Sequence, residues 1–316
     1  MKTRIFFVSD VHGSERCFRK FLNAAKFYNA NILILGGDIT GKALVPVVQI
    51  SDDKYRLNFQ GQEMTVKKKE LQDYLTSMRN NGLYYFMTTP DELQRLADDP
   101  QAVEKIFMDQ MLSVLRSWME LANERLKGSD VICYISPGND DKFEMDSLLK
   151  DTEHVINPED RVVELPGGYE MITLGYANPT PWKSPREVSE EKLLEMIERL
   201  AVQLKNPQTS IFNLHVPPFG TELDKAPAVN SQLEYERSGL GMVKVVNVGS
   251  KAVRTSIEKY QPLLGLHGHI HESRGFSWLG RTLCLNPGSD YGEGMLRGAL
   301  VDLEDGRVKE FMLTSG

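Results

Sequence analysis

Several things are scarce in this sequence, and each scarcity closes a route. Its 316 residues hold only three cysteines, Cys17, Cys133 and Cys284. They are too few and too scattered for a disulfide framework or a zinc ribbon. Cys133 and Cys284 fall in apolar runs, the setting of small buried hydrophobes. No stretch nears the roughly 18–20 apolar residues of a transmembrane helix. The apolar run Ile5–Val8 soon meets Asp10, short of the roughly 7–15 residues in the core of a signal peptide. A cytoplasmic protein without a membrane partner is therefore expected. Positive charge is also in deficit: 37 Lys and Arg stand against 44 Asp and Glu, a formal charge of −7. That balance disfavours binding nucleic acid through bulk electrostatics, although it leaves room for a local basic patch. There is no internal repeat and no low-complexity tract.

What is present is ordinary globular material, 41% hydrophobic and 26% charged, long enough for one large domain or two small ones. Arg4 to Ser9 reads as a buried strand, Glu15 to Asn29 as a helix, and Asn31 to Leu35 as a second strand. A third strand, Val131 to Ser136, comes only after an insertion from about residue 43 to about residue 128. This order suggests a βαβ beginning and a sheet covered by helices. Leu44 to Val66 carries β-like runs such as Tyr55 to Phe59, with a turn at Gly61, and the rest of the insertion reads as helical. Val103, Ile106, Phe107, Met111, Val114, Leu115, Trp118, Met119 and Ala122 form an apolar stripe behind the start signal Asp99-Pro100. A further helix is expected from Ser184-Pro185-Arg186-Glu187, which matches a capping box. Strand-like runs follow at Ser210–Leu214, Leu263–Leu266, Thr282–Leu285 and Gly298–Asp302, and Asp305-Gly306 signals a terminal hairpin.

The chemistry-bearing residues follow the strands. Asp10-Val11-His12, Gly37-Asp38, Gly138-Asn139-Asp140-Asp141, His215 and His267-Gly268-His269-Ile270-His271 each come directly after an apolar run. Side chains at the carboxyl ends of strands gather around one crevice in an open α/β sheet. Singly, each cluster has a plain structural reading as a cap, a turn or a loop histidine. Jointly, five of the six histidines sit at strand ends with Asp10, Asp38 and Asn139. Imidazole and carboxylate suit Mn, Fe, Zn and similar ions. The set is larger than one four-ligand site uses, and two bridged ions would use it fully.

This order of motifs resembles the calcineurin-like metallophosphoesterase superfamily, whose pattern is D-x-H, G-D, G-N-H-D/E, a lone H and G-H-x-H. Ser9-Asp10-Val11-His12-Gly13 and Asn286-Pro287-Gly288-Ser289-Asp290 look like its small prokaryotic phosphodiesterase branch. The resemblance implies one domain over residues 1–316, a four-layer α/β/β/α sandwich with a largely helical insertion at about 43–128. It implies that Asp10, His12 and His271 hold one divalent ion and Asn139, His215 and His269 a second, with Asp38 bridging. Manganese is the expected metal, with Fe, Zn and Ni as alternatives. The implied reaction is hydrolysis of a small phosphodiester by in-line attack of a hydroxide shared by the two ions. A nuclease of the same family and a metal-stabilised scaffold with a decayed site are the alternatives.

The chain departs from the pattern at Asp140, where the family has histidine. A carboxylate beside two dications stays ionised and makes a poor acid, so Asp140 and Asp141 at the catalytic position imply substrates with good leaving groups, such as aryl diesters. The other reading is that both merely orient Asn139, the loop or a metal-bound water. His267 is expected to support a ligand rather than to be one, and His154 to be a surface or loop residue. Lys67-Lys68-Lys69 and Tyr84-Tyr85-Phe86 could meet a phosphate and a base, or be a solvated run and a buried strand. The insertion itself is a candidate lid or homo-oligomer contact.

Overall fold

The computed structural model describes residues 3–230, 232–239 and 241–316. Three strands set the frame: β1 (Thr3–Val8), β2 (Ile32–Gly36) and β7 (Ile132–Ser136). They are almost continuously apolar and buried, as strands covered on both faces must be. They pair in parallel, β1 with β2 and β2 with β7. Their sheet runs β18 (Arg307–Ser315), β17 (Arg297–Glu304), β1, β2, β7, β8 (Val155–Ile156). The β17–β18 hairpin turns at Asp305-Gly306 as expected, with both residues at positive φ.

A second six-stranded sheet has the order β15 (Gly275–Leu279), β16 (Thr282–Asn286), β14 (Leu264–Leu266), β11 (Ile211–Leu214), β10 (Tyr169–Leu174), β9 (Val162–Leu165). Alternation along each strand decides what faces what. Ile5, Phe7 and Ile34 meet Met171, Ile211 and Leu264 between the sheets. Phe6, Val8, Leu33 and Leu35 turn the other way, toward α1 (Glu15–Phe27) and α4 (Pro100–Leu126). Ile172, Leu174, Phe212 and Leu214 pack on α5 (Glu190–Ala201) and α6 (Lys251–Tyr260). The result is the expected four-layer α/β/β/α sandwich.

Between β2 and β7 the chain builds β3 (Ala43–Ser51), β4 (Lys54–Phe59), β5 (Gln62–Lys67), α2 (Lys68–Asn80), β6 (Leu83–Thr88), α3 (Pro90–Ala97) and α4. The stretch read as helical beyond Val66 therefore contains a strand. Leu83–Thr88 is rich in aromatics, and α2 carries the chain across to pair it in parallel with β3. The sheet β5-β4-β3-β6 closes a small core of Val47, Tyr55, Leu57, Val66, Leu71, Leu75 and Met78. At its root Gly82 has φ +80°, and a side chain there would overlap the His12 carbonyl. Beside it Ser14 Oγ donates to the Asn80 carbonyl at 2.6 Å. A short pair, β12 (Lys225–Pro227) and β13 (Val245–Asn247), lies apart.

One expected helix start is corrected. Ser184–Glu187 does not open α5, which begins at Glu190 with Ser189 as its cap. Glu187 forms an isolated bridge with Ala177, whose N–H and carbonyl bond Arg186 O and Val188 N, and Glu187 turns its carboxylate onto Thr180 and Ser184 instead. All three cysteines are buried and free. Among the described residues no helix is long and apolar enough to cross a membrane.

The stripe on α4 is core. Trp118 stacks on Phe18 at 4.2 Å and 5°, and its Nε1 donates to Glu15 Oε2 at 2.5 Å. Trp118→Ala should cost about 3–5 kcal/mol, the range for emptying a buried aromatic site, read as a shift in urea denaturation. A loss under about 1 kcal/mol would mean the stack contributes nothing beyond a surface contact.

Candidate metal centre

Loops leave the carboxyl ends of β1, β2, β7, β11 and β14 and turn their polar side chains to one point. The turns are tight enough to force unusual backbone: Asp10 (φ 58°), His12 (φ 38°), Asp38 (φ 51°) and His269 (φ 67°) are all left-handed. Such residues cost on the order of 1–3 kcal/mol each and persist where the surroundings over-determine them. Gly138 is fixed by the same crowding, since a side chain there would overlap Asp38.

All seven side chains expected as ligands meet. Asp38 lies between two histidines, with Oδ2 3.6 Å from His12 Nε2 and Oδ1 3.4 Å from His215 Nε2. Asp10 Oδ1 is 3.4 Å from His271 Nε2, 3.9 Å from His215 Nε2 and 4.0 Å from His12 Nε2. His12 and His271 face each other, Nε2 to Nε2, at 3.1 Å. His269 Nδ1 donates to Asn139 Oδ1 at 2.7 Å, and the His269 and His215 rings lie 5.5 Å apart. Three groups have donor atoms all within 4.8 Å of one another: Asp10, His12 and His271; Asp10, Asp38 and His215; His12, Asp38 and Asp140.

These buried Asp and His groups could hold metal ions. The sharpest sign is His215, whose Nδ1 donates to the Gly36 carbonyl at 2.9 Å. Its buried Nε2 is aimed at the two carboxylates, 3.4 Å from Asp38 Oδ1 and 3.9 Å from Asp10 Oδ1. A mixed nitrogen and oxygen set of this kind suits first-row divalent ions.

The remaining expectations sort by position. Asp141 is fully buried, and its carboxylate accepts from Ile39 N at 2.9 Å, Thr40 N at 2.9 Å, Thr40 Oγ1 at 2.6 Å and Gly138 N at 2.8 Å. It therefore braces the Asp38 and Asn139 loops and has no acceptor left for a reacting atom, which replaces the catalytic role considered for it. Asp140 faces the cluster and pairs with Lys42 and Ser184. His267 donates from Nδ1 to the Leu214 carbonyl at 2.7 Å, steadying the residue before His215. His154 is a loop residue, buried rather than at the surface, and joins none of the groups found among the described residues. Lys67, Lys68 and Lys69 are exposed, and Tyr84 is buried with its hydroxyl accepting from Gly41 N at 2.8 Å.

A cavity of about 950 Å³ opens over the cluster, lined by Asp38, Asp140, His269 and His271. The insertion walls it with Lys42, Glu104, Phe107 and Met111, and not with the lysine run or the Tyr84-Tyr85-Phe86 strand. Trp182 and Tyr235, both largely exposed, also line it.

No family model matches the chain. An uncharacterized protein of Methanocaldococcus jannaschii, MJ1162, is 30% identical over 161 residues, 50% of this chain and 63% of that relative. The chain thus spans less than two thirds of the relative's length. The crystal structure of TT1561 of Thermus thermophilus superposes over 100% of this chain and 99% of its own, with 15% identity and a TM-score of 0.56. Another crystal structure covers 99% of both chains at 14% identity and a TM-score of 0.58. Both likenesses run the length of the chain and are likenesses of fold.

The electrostatics of the site are those of a cation trap. Burial alone would raise Asp10 and Asp38, yet the histidines hold both well below the usual carboxylate range, His271 and His215 for the first, His215 and His12 for the second. Burial would lower His215, but Asp38 and Asp10 push it up to about 10. His12 and His269 go the other way, to about 4, chiefly through burial.

Sequence reasoning missed the supports. Arg186, almost fully buried, donates to the Asp141 carbonyl at 2.9 Å and Asp146 Oδ1 at 2.6 Å, and its own N–H donates to the Asn139 carbonyl at 3.0 Å. Tyr291 lies against the His12 ring at 4.7 Å. Ser289 Oγ donates to the Asp10 carbonyl at 2.6 Å, and Asn286 Nδ2 to the Ile270 carbonyl at 2.9 Å. The Asn286–Asp290 motif, read as a mark of resemblance, was the available signal for the last two.

Asp141→Ala would strand four buried donors. It should cost at least about 3 kcal/mol in denaturant unfolding and lower metal content, with Asp141→Asn recovering part of both. Wild-type stability in the alanine variant would overturn the bracing role.

Proposed function

We propose that the chain is a metal-dependent phosphoesterase holding two divalent ions, manganese first among the candidates, and acting on a small phosphodiester. The observation that carries this reading is the meeting of Asp10, His12, Asp38, Asn139, His215, His269 and His271 under a single cavity. Asp10, His12 and His271 would take one ion and Asn139, His215 and His269 the other, with Asp38 shared. Bound divalent ions supply Lewis acidity for a phosphoryl oxygen and acidify water.

The chain's own part is placement. The Gly36 carbonyl fixes the proton of His215 on Nδ1, leaving Nε2 to the cluster. Ser289 and the His269 N–H hold Asp10 from both sides, through its carbonyl and its carboxylate. The cavity has the size of a small-molecule site, which favours a compact diester over a polymer. Asp140, engaged by its neighbours, is a poor proton donor to a leaving group, so aryl diesters should react faster than alkyl ones.

Two outcomes are expected. Purified protein loaded with manganese should hydrolyse bis(p-nitrophenyl) phosphate, methyl p-nitrophenyl phosphate more slowly and dimethyl phosphate not measurably. Asp38→Asn should lower the aryl rate by roughly 100-fold or more. Protein that binds two ions per chain yet hydrolyses no phosphoester would turn the reading to the scaffold.

The second concerns protons. His215 stays protonated at neutral pH in the metal-free chain because its pKa is pushed up to about 10. A cation must displace that proton, so apparent affinity rises with pH up to that value. Calorimetry at pH 7 in buffers of different ionisation enthalpy should register release of about one proton per chain. Metal uptake without proton release would overturn the raised pKa of His215, and unchanged metal affinity in His215→Ala would rule it out as a ligand.

A further inference from the structure

Lys42 is the residue whose placement the cluster does not explain. It stands four residues after Asp38, at the foot of β3, on a loop pinned from both sides. Asp141 binds Ile39 and Thr40, and the Tyr84 hydroxyl accepts from Gly41 N at 2.8 Å. From there its ammonium reaches Asp140 Oδ2. Asp140 is itself tethered: its N–H donates to Asp38 Oδ1 at 3.0 Å, and its Oδ1 accepts from Asn139 Nδ2 at 3.2 Å and from the Ser184 hydroxyl. Both side chains border the cavity above Asp38, His269 and His271, with Lys42 48% and Asp140 23% exposed. Of the cavity's two other lysines, Lys142 is paired with Glu104 and lies over the Phe107 ring at 5.4 Å, and Lys183 belongs to the 178–185 loop rather than to the loop that follows Asp38. An ammonium has three N–H donors, and one spent on Asp140 leaves two directed by it.

We propose that Lys42 is a substrate-binding residue, donating from its ammonium to a non-bridging oxygen of the bound phosphoester, and that Asp140, held by Ser184 and Asn139, is the positioning residue that aims it. The inference rests on the phosphoesterase reading and assigns Asp140 a task other than acid catalysis. It also explains why a carboxylate at this place is useful: it keeps a long flexible side chain pointed at the cleft before substrate arrives.

The test is binding of inorganic phosphate to manganese-loaded protein, by calorimetry, alongside hydrolysis of bis(p-nitrophenyl) phosphate and metal content. Lys42→Met should weaken phosphate binding roughly 10–100-fold, the scale of one charge-assisted hydrogen bond. KM should rise with it and metal content should stay unchanged. Lys42→Arg should recover most of the binding. Asp140→Asn should weaken phosphate binding in the wild-type background and have no effect on top of Lys42→Met, which a merely structural Asp140 would not produce. Phosphate binding within twofold of wild type in Lys42→Met overturns the proposal, as does wild-type protein that takes up manganese but no phosphate. An equal loss from Asp140→Asn in both backgrounds overturns the positioning role. If Lys42→Met loses phosphate affinity while wild type shows no hydrolysis, the Lys42 assignment stands and the hydrolase reading falls.

Discussion

Two carboxylates, Asp10 and Asp38, are buried side by side where neither can be solvated. Like charges in such a setting are tolerable only with positive charge beside them. In the bare chain that charge is borrowed from the proton on His215, and the same acids raise His271 against burial. The left-handed backbone at Asp10, His12, Asp38 and His269, the bracing by Asp141 and the clamp of Arg186 all serve to keep the arrangement from relaxing. A fold that invests strain and the buried anchors Asp141 and Arg186 in holding two anions together makes sense if something cationic is meant to sit there.

Around that centre the two halves of the molecule do different work. The sheets contribute strand ends and little else, while the walls of the cavity come from excursions: the foot and long helix of the insertion, the 178–185 loop and the stretch at 226–229. The cluster is therefore carried by short loops anchored at strand ends, and the cavity around it by longer excursions of the chain.

How much of this could be read from residues alone varies with range. The parallel strands were legible because their apolar runs are short, continuous and each ended by a polar cluster. Asp10, Asp38 and His215 stood out for the same reason. The strand Leu83–Thr88 was obscured because it lies between two helices and takes its identity from pairing with β3, about 40 residues earlier in the chain. Ser184–Glu187 carried a valid cap pattern, but the same Glu187 oxygens satisfy a loop equally well, and local sequence does not choose between them. Arg186 and Lys42 were invisible because nothing in spacing distinguishes a buried or cleft-directed cation from a solvated one. Asp141 was ambiguous for a related reason: adjacent aspartates look alike until the backbone donors around them are known.

The crossing at Gly82 carries a consequence of its own. The backbone at the root of the insertion rests on the His12 carbonyl, and Ser14 ties the same loop to Asn80, so these two stretches of chain move as one piece. Whatever docks on the outer sheet of the insertion, or whatever replaces that sheet in a relative, transmits its leverage to one edge of the cluster through a joint too tight to admit even a methyl group. Change at the far end of the insertion is cheap for the chain to tolerate; change at this joint is not.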